Sequence, residues 1–288
     1  MLTALLFSLL HLALSPVDSA NLPPQLYLSK DQGGSWQPFN QGLPEQATPA
    51  NVLNHPDGIY LTTDAHGLYF LPKGSTVWEP RNNRLPQRID INAIAADGDK
   101  LAIGTFRQGV YLSFNGGKSW TPSIFNLRAG SVRALLYHEG LLIAGTDGGI
   151  YRSHDGGMSW RHCSDLQQTN DLIAHGGRLY AARLKGIFVS EDNGASWQPC
   201  FAGNTAQRFL ADGQSLYAQL IGQSMIRTTD GGANWEIPIG MLSSKNAKTL
   251  PQKLWSGYRA ELPNDSSGLR FISSSPRGWL AGRTMDGC

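Results

Sequence analysis

Cysteine, charge and long apolar runs are all scarce in this chain. Three cysteines are too few for a disulfide framework or a four-thiolate zinc site. The seven histidines show no ligand spacing such as His-x-x-x-His, so neither a metal nor another cofactor is expected. Charged residues make up only 16% of the 288, and the formal charge is +2. A balance so near neutral argues against nucleic acid as a partner. What is abundant is glycine, 33 residues, with 16 prolines. Hydrophobic residues reach 41%, enough for a sizeable core. Few charges with many turn formers suit short strands joined by tight turns and fit long helices badly.

One apolar run stands out at residues 2–14, Leu2 to Leu14, interrupted only by Thr3, Ser8 and His11. It is shorter than the roughly 20 residues a membrane span needs. Pro16 and the small residues up to Ala20 follow, so residues 1–20 read as a secretory signal. The first ten residues carry no Lys or Arg; a buried N-terminal helix or an uncleaved anchor is the other reading of the run. The expectation is an exported protein, periplasmic or extracellular, with residues 21–288 as one domain.

One eight-residue pattern then repeats. It reads Ser29-Lys30-Asp31-Gln32-Gly33-Gly34-Ser35-Trp36 at its first occurrence. It returns from Ser113 through Asn115 to Trp120, from Ser153 through Asp155 to Trp160, from Ser190 through Asp192 to Trp197, and from Thr228 through Asp230 to Trp235. A remnant keeps Trp78. The tryptophans are spaced by 42, 42, 40, 37 and 38 residues. A period near 40 marks a propeller or solenoid array.

Within each period the pattern predicts four strands. In the third, Ser131–His138 reads as half-buried, Leu141–Gly145 as an apolar strand, and Ile150–Ser153 as an alternating one before the Asp155 hairpin. Asp-Gly and Gly-Gly pairs supply the positive φ of two-residue hairpins. Four antiparallel strands per period make a propeller blade. Leu269–Ser275 and Trp279–Gly282 match the first two strands of a blade, and Leu26–Trp36 matches the second half of one. The expected fold is therefore all-β: a six-bladed β-propeller closed by a composite blade from both ends. Seven blades are the less favoured count. A polar insertion near 243–267 holds Trp255 and Tyr258.

The repeat resembles the Asp-box, or BNR, repeat of sialidase-like propellers. The resemblance implies a structural motif at the rim. Asp31, Asn115, Asp155, Asp192 and Asp230 would close their own hairpins, Gly would take the conformation denied to side chains, and Trp36, Trp120, Trp160, Trp197 and Trp235 would pack on a sheet. No catalytic role follows for them. Binding in such propellers occurs on the face of the second-to-third-strand loops, which here carry Asp64, His66, Arg107, Asp147, Arg183, Lys185, Arg283 and Asp286. Aligning the blades on their Gly-Thr element adds Asn92, Arg133, Asn170, Gln207 and Arg270 at equivalent first-strand positions, a polar ring at the channel. Convergent guanidinium groups suit carboxylates or phosphates.

Sialidases of this fold use an arginine triad, a Tyr–Glu pair, an Asp acid and a Phe/Tyr-Arg-Ile-Pro tetrapeptide. No such tetrapeptide occurs here. The chain is more similar to the small exported BNR proteins of the photosystem II stability/assembly factor type, although those have seven blades. That resemblance implies a non-enzymatic scaffold, monomeric, whose partner is a protein, membrane-associated assembly intermediates included. A glycoside hydrolase of sialidase type and a carbohydrate-binding module taking an acidic or sugar ligand stay open. Cys163 and Cys200, on equivalent positions of neighbouring blades, are expected as free thiols, with Cys288 in the tail. Asn264-Asp265-Ser266 is a glycosylation sequon.

Overall fold

Alternating apolar residues bounded by glycine turns become strands, and every strand pairs antiparallel with its sequence neighbour. The computed structural model describes residues 26–31, 35–123, 130–221, 225–238 and 269–283, with backbone alone at 269–274, 279 and 283. Residues 1–20, expected as a signal, the 243–267 insertion with its sequon, Asp286 and Cys288 lie outside the described residues. The N-terminal strands are β1 (Leu26–Ser29) and β2 (Gln37–Pro38). Blade 1 follows as β3 (Thr48–His55), β4 (Gly58–Asp64), β5 (Gly67–Pro72) and β6 (Glu79–Pro80). Blade 2 is β7 (Ile91–Asp97), β8 (Lys100–Thr105), β9 (Val110–Ser113) and β10 (Thr121–Pro122). Blade 3 is β11 (Val132–His138), β12 (Leu141–Thr146), β13 (Gly149–Ser153) and β14 (Arg161–Ser164). Blade 4 is β15 (Thr169–His175), β16 (Arg178–Arg183), β17 (Gly186–Ser190) and β18 (Gln198–Ala202). Blade 5 is β19 (Ala206–Asp212), β20 (Ser215–Leu220) and β21 (Met225–Thr228). The last strands are β22 (Leu269–Ser275) and β23 (Gly278–Arg283).

Six sheets result, so the chain is a six-bladed β-propeller. The sixth blade is ordered β2-β1-β23-β22 and joins both ends of the described chain. Leu26 pairs with Gly282 and Leu28 with Leu280, which covers edges that would otherwise template aggregation. Among the described residues the outer strand of blade 5 is seen as a single bridge between Arg227 and Glu236. Glu236 Oε1 also takes the Arg227 guanidinium.

The core lies between blades, one cluster at each described joint. Ile59 and Leu61 of β4 pack on Leu26, Leu28 and Leu280 of blade 6. Tyr60, on the opposite face of the same strand, packs on Ile91, Leu101 and Ile103 of blade 2. The period-2 alternation of one strand thus serves two joints. The Gly-Thr element has a steric cause. A Cβ at Gly104 would sit 2.5 Å from Val132 Cγ1, and one at Gly145 would sit 2.6 Å from Thr169 Cγ2. Each glycine leaves room for the first residue of the next blade's inner strand.

The tryptophan hairpins work as joints. Ser153 Oγ, buried, donates to Asp155 Oδ1 at 2.7 Å and accepts the Gly157 N–H at 2.7 Å. The same carboxylate accepts the N–H and hydroxyl of Ser159 at 2.9 and 2.5 Å. Asp31, Asp192 and Asp230 repeat this pattern, and Asn115 does so with its amide. Three of the indoles then reach back one blade, while Trp197 Nε1 donates to Gly194 O of its own hairpin at 3.2 Å. Trp78 Nε1 donates to Phe39 O at 3.0 Å, Trp120 Nε1 to Arg81 O at 2.7 Å, and Trp160 Nε1 to Ser123 Oγ at 3.0 Å. Each of these three acceptors directly follows the outer strand of the preceding blade. Cys163 and Cys200 are free thiols.

Candidate functional site at the channel mouth

First strands contact one another from β22 through β3, β7, β11 and β15 to β19 and so line the central channel. Each of the six ladders between a first and a second strand skips one residue near its start. The skipped residues are Ala50, Asn92, Arg133, Asn170, Gln207 and Arg270. These are β-bulges, which bend a strand and re-aim one side chain. Ala50, Asn92, Arg133, Asn170 and Gln207 all line one cavity of about 630 Å³. Arg270 occupies the sixth bulge. The polar ring expected from the Gly-Thr alignment is thus a ring of bulge positions, with Ala50 its one apolar member.

The second-to-third-strand loops form the rim. Asp64, the last residue of β4, and Phe106, Leu184 and Ile221, the first residues after β8, β16 and β20, all line the cavity. Three of the loops are tied shut by a threonine: Thr63 Oγ1 donates to Gly67 O at 2.9 Å, Thr105 Oγ1 to Gly109 O at 2.8 Å, and Thr146 Oγ1 to Gly149 O at 2.8 Å. These three loops are therefore held before any ligand arrives. Phe106, Leu184 and Ile221 are 47%, 46% and 53% exposed, large apolar side chains left in water beside a polar cavity. Sequence reasoning missed them because it sought charge in these loops. Their shared place directly after the second strand is the signal that would have found them.

Several charged residues expected at a site are already engaged. Arg133 forms an ion pair with Asp147. Burial raises the Asp147 carboxyl, but the Ser131 N–H and the Arg133 guanidinium outweigh it and hold the group below its usual range. Arg107 lies over the Phe106 ring, 4.9 Å from its centroid, and Arg183 over Phe188 at 5.1 Å. His66 Nδ1 sits 2.9 Å from Asp64 O. Lys185 is exposed beside Leu184 and is not part of the cavity lining, and only the backbone of Arg283 is described, paired with Leu269. Of the loop and ring residues first singled out by charge whose side chains are described, Asp64 and Arg133 reach the cavity. Among the described residues, no group of three His, Cys, Asp or Glu converges as a metal site.

A network not visible in the sequence braces the inner wall. Arg208 Nη2 donates to Asn51 Oδ1 at 3.2 Å, although the two residues sit two blades apart around the ring. Asn51 Nδ2 donates to Asn92 O at 3.0 Å, and Asn170 Nδ2 to Ala206 O at 2.9 Å. Asp171, next to the Asn170 bulge, accepts the Leu172 N–H at 2.9 Å and, from blade 5, the Phe209 N–H at 2.8 Å. Burial pushes its carboxyl up to about 6, against those N–H groups and the Arg208 charge. The carboxyl lies deep in the wall, yet channel solvent still reaches part of the residue.

The two kinds of acid set a pH profile of opposite slopes. The hydroxyl and N–H of Ser35 hold Asp31 at about 2, and Asn234 does the same for Asp230. At Asp192 burial acts upward, but Ser196 and Ser190 still bring it to about 2. Such depressed groups stabilise the fold above the ordinary carboxylate value and lose that contribution as pH falls through about 2. Asp171 has the reverse sign: the folded state holds its proton more tightly, so stability falls as pH rises from about 4 to about 6. A shift of this size corresponds to at most about 3 kcal/mol. Thermal unfolding followed against pH is expected to peak between about pH 4 and 5. Asp171→Asn should flatten the limb above the peak and leave the acid limb unchanged.

No protein-family model matches the sequence, and no curated protein matches it. Solved structures match throughout the fold. The extracellular domain of BT4673 from B. thetaiotaomicron superposes with a TM-score of 0.64 at 15% identity, over 90% of this chain and 37% of that one. YCF48 bound to D1 peptide gives 0.55 at 20% identity, over 66% of this chain and 68% of that one. The GH74 xyloglucanase of Xanthomonas campestris gives 0.57 at 17%, over 76% and 40%. The chain thus spans well under half the length of the xyloglucanase and of the BT4673 domain. At these identities the likeness establishes the propeller fold alone.

Proposed function

We propose that the chain is an exported scaffold of BNR, or Asp-box, type that binds a partner protein at the channel mouth. The observation that carries this reading is the composition of the cavity: amides at bulge positions, an apolar residue on three rim loops, and Asp64 as the one acid among its described lining residues. Glycoside hydrolysis by either stereochemical course needs two carboxylates facing one bond. Asp147, the neighbouring rim acid, is fastened to Arg133 and the Ser131 N–H. The five acidic or amide hairpins support the family, and their hydrogen bonds are internal. YCF48, a propeller of the same fold, has been seen with a D1 peptide, which is in keeping with a peptide-binding role. Export rests on residues 1–20, and a membrane-associated partner fits that placement.

Copurification from the native envelope fraction tests it. The Phe106→Asp, Leu184→Asp double variant is expected to lose the partner that the unaltered chain retains, with unchanged thermal stability. Fluorogenic glycosides and xyloglucan are expected to stay intact. Hydrolysis that Asp64→Asn abolishes would overturn the scaffold in favour of an enzyme.

A further inference from the structure

The cavity's hydrogen-bonding capacity is specific enough to name a ligand class. Asn51, Asn92, Gln168, Asn170, Gln207 and Gln219 line it. Asn51 and Asn170 are spent in bracing the wall. The carboxamides of Asn92, Gln168 and Gln207 have no side-chain hydrogen bond to any described residue. A free carboxamide presents an acceptor and a donor in one plane, the same pair that a peptide group presents. Meanwhile each of the two cations lining the cavity already has a partner. Arg133 is held by Asp147, and Arg208 is held by Asn51 while the Asp171 carboxyl lies in its field. A bound anion would meet one guanidinium already neutralised by Asp147 and one already facing the Asp171 carboxyl, whereas an uncharged hydrogen-bonding chain needs neither cation.

The rim separates peptide from sugar. Sugars stack on flat aromatic faces, but Leu184 and Ile221 are aliphatic, and the ring of Phe106 carries the Arg107 guanidinium over it at 4.9 Å. Aliphatic side chains at separate points of a rim suit apolar side chains of an extended peptide. Building on the scaffold reading above, we infer that the mouth takes an uncharged, extended polypeptide segment. Its main chain is read by Asn92, Gln168 and Gln207, and its apolar side chains rest on Phe106, Leu184 and Ile221. The guanidinium groups act as wall braces and not as anion receptors.

Selection of phage-displayed random short peptides on the full chain, followed by affinity measurement on the synthesised winners, tests this. The expected winners are rich in apolar residues and carry no excess of acid. Their affinity is expected to hold when salt is raised and to fall about tenfold or more in the Asn92→Ala, Gln207→Ala double variant, two lost hydrogen bonds. N-methylation of a peptide main-chain amide is expected to give a similar loss, a measurement that needs no altered protein. Winners rich in Asp and Glu, weakened by salt and lost on Arg208→Ala, would overturn the inference while leaving a peptide scaffold. Failure to select any peptide that Phe106→Asp, Leu184→Asp releases, or xyloglucan oligosaccharide binding at the mouth instead, would overturn both readings.

Discussion

Deletion of residues 269–288 is expected to abolish cooperative folding, not merely to shorten the molecule. The deletion removes β22 and β23, half of the sixth blade. It strips β1 of its partner along Leu26–Ser29 and takes Leu280, fully buried, out of the cluster formed with Leu26, Leu28, Ile59 and Leu61. Losing one such leucine to alanine costs about 2–5 kcal/mol. Losing two strands, their hydrogen bonds and the ring closure exceeds the roughly 5–15 kcal/mol by which a domain is stable. The open edge of β1 then invites association between chains. Circular dichroism should show no sigmoidal melt, and gel filtration should show aggregate. A monomer melting near the full-length temperature would mean that the composite blade does not hold the ring.

Trp78→Ala is the point substitution expected to cost most, about 3–5 kcal/mol. Its side chain is 1% exposed, lies edge-on to Phe39, and donates to Phe39 O across the joint between blades 6 and 1. This is the hairpin that has lost its acid, with Ser75 Oγ accepting the Val77 N–H at 3.0 Å instead. The joint thus leans on the indole. Trp36→Ala, half-buried at its own hairpin, should cost less. Urea denaturation of the two variants side by side checks the order, and equal losses would contradict the role given to the joint.

The fold was legible because its period is written in tryptophan. Five hairpins and the Trp78 remnant fix the blades, and the half-blades at the two ends fix the closure. The ring of bulge residues was legible too, since aligning blades on Gly-Thr aligns the bulges. The reason appeared only in three dimensions: Gly104 and Gly145 make room for the residue that precedes the next bulge. The rim resisted reading. Arg107 and Arg183 look like ligand-seeking cations in one dimension, yet each lies on a phenylalanine near it in the chain. Arg133 and Asp147 are fourteen residues apart and meet only because β11 and β12 bring their ends together. Phe106, Leu184 and Ile221 read as ordinary strand ends until the ring sets them around one opening. The Arg208–Asn51 bond spans 157 residues, and no local pattern announces it.

Everything functional here turns on the partner meeting the mouth and not the hairpin rim. A photo-crosslinking amino acid placed at Phe106 or at Met158 compares the two directly, since both side chains are about half exposed and sit on different surfaces. Illumination in the producing cells is expected to give a discrete protein adduct from position 106 that a selected mouth-binding peptide suppresses, and none from position 158. An adduct from 158 alone, or one from 106 that the peptide leaves untouched, would contradict the account.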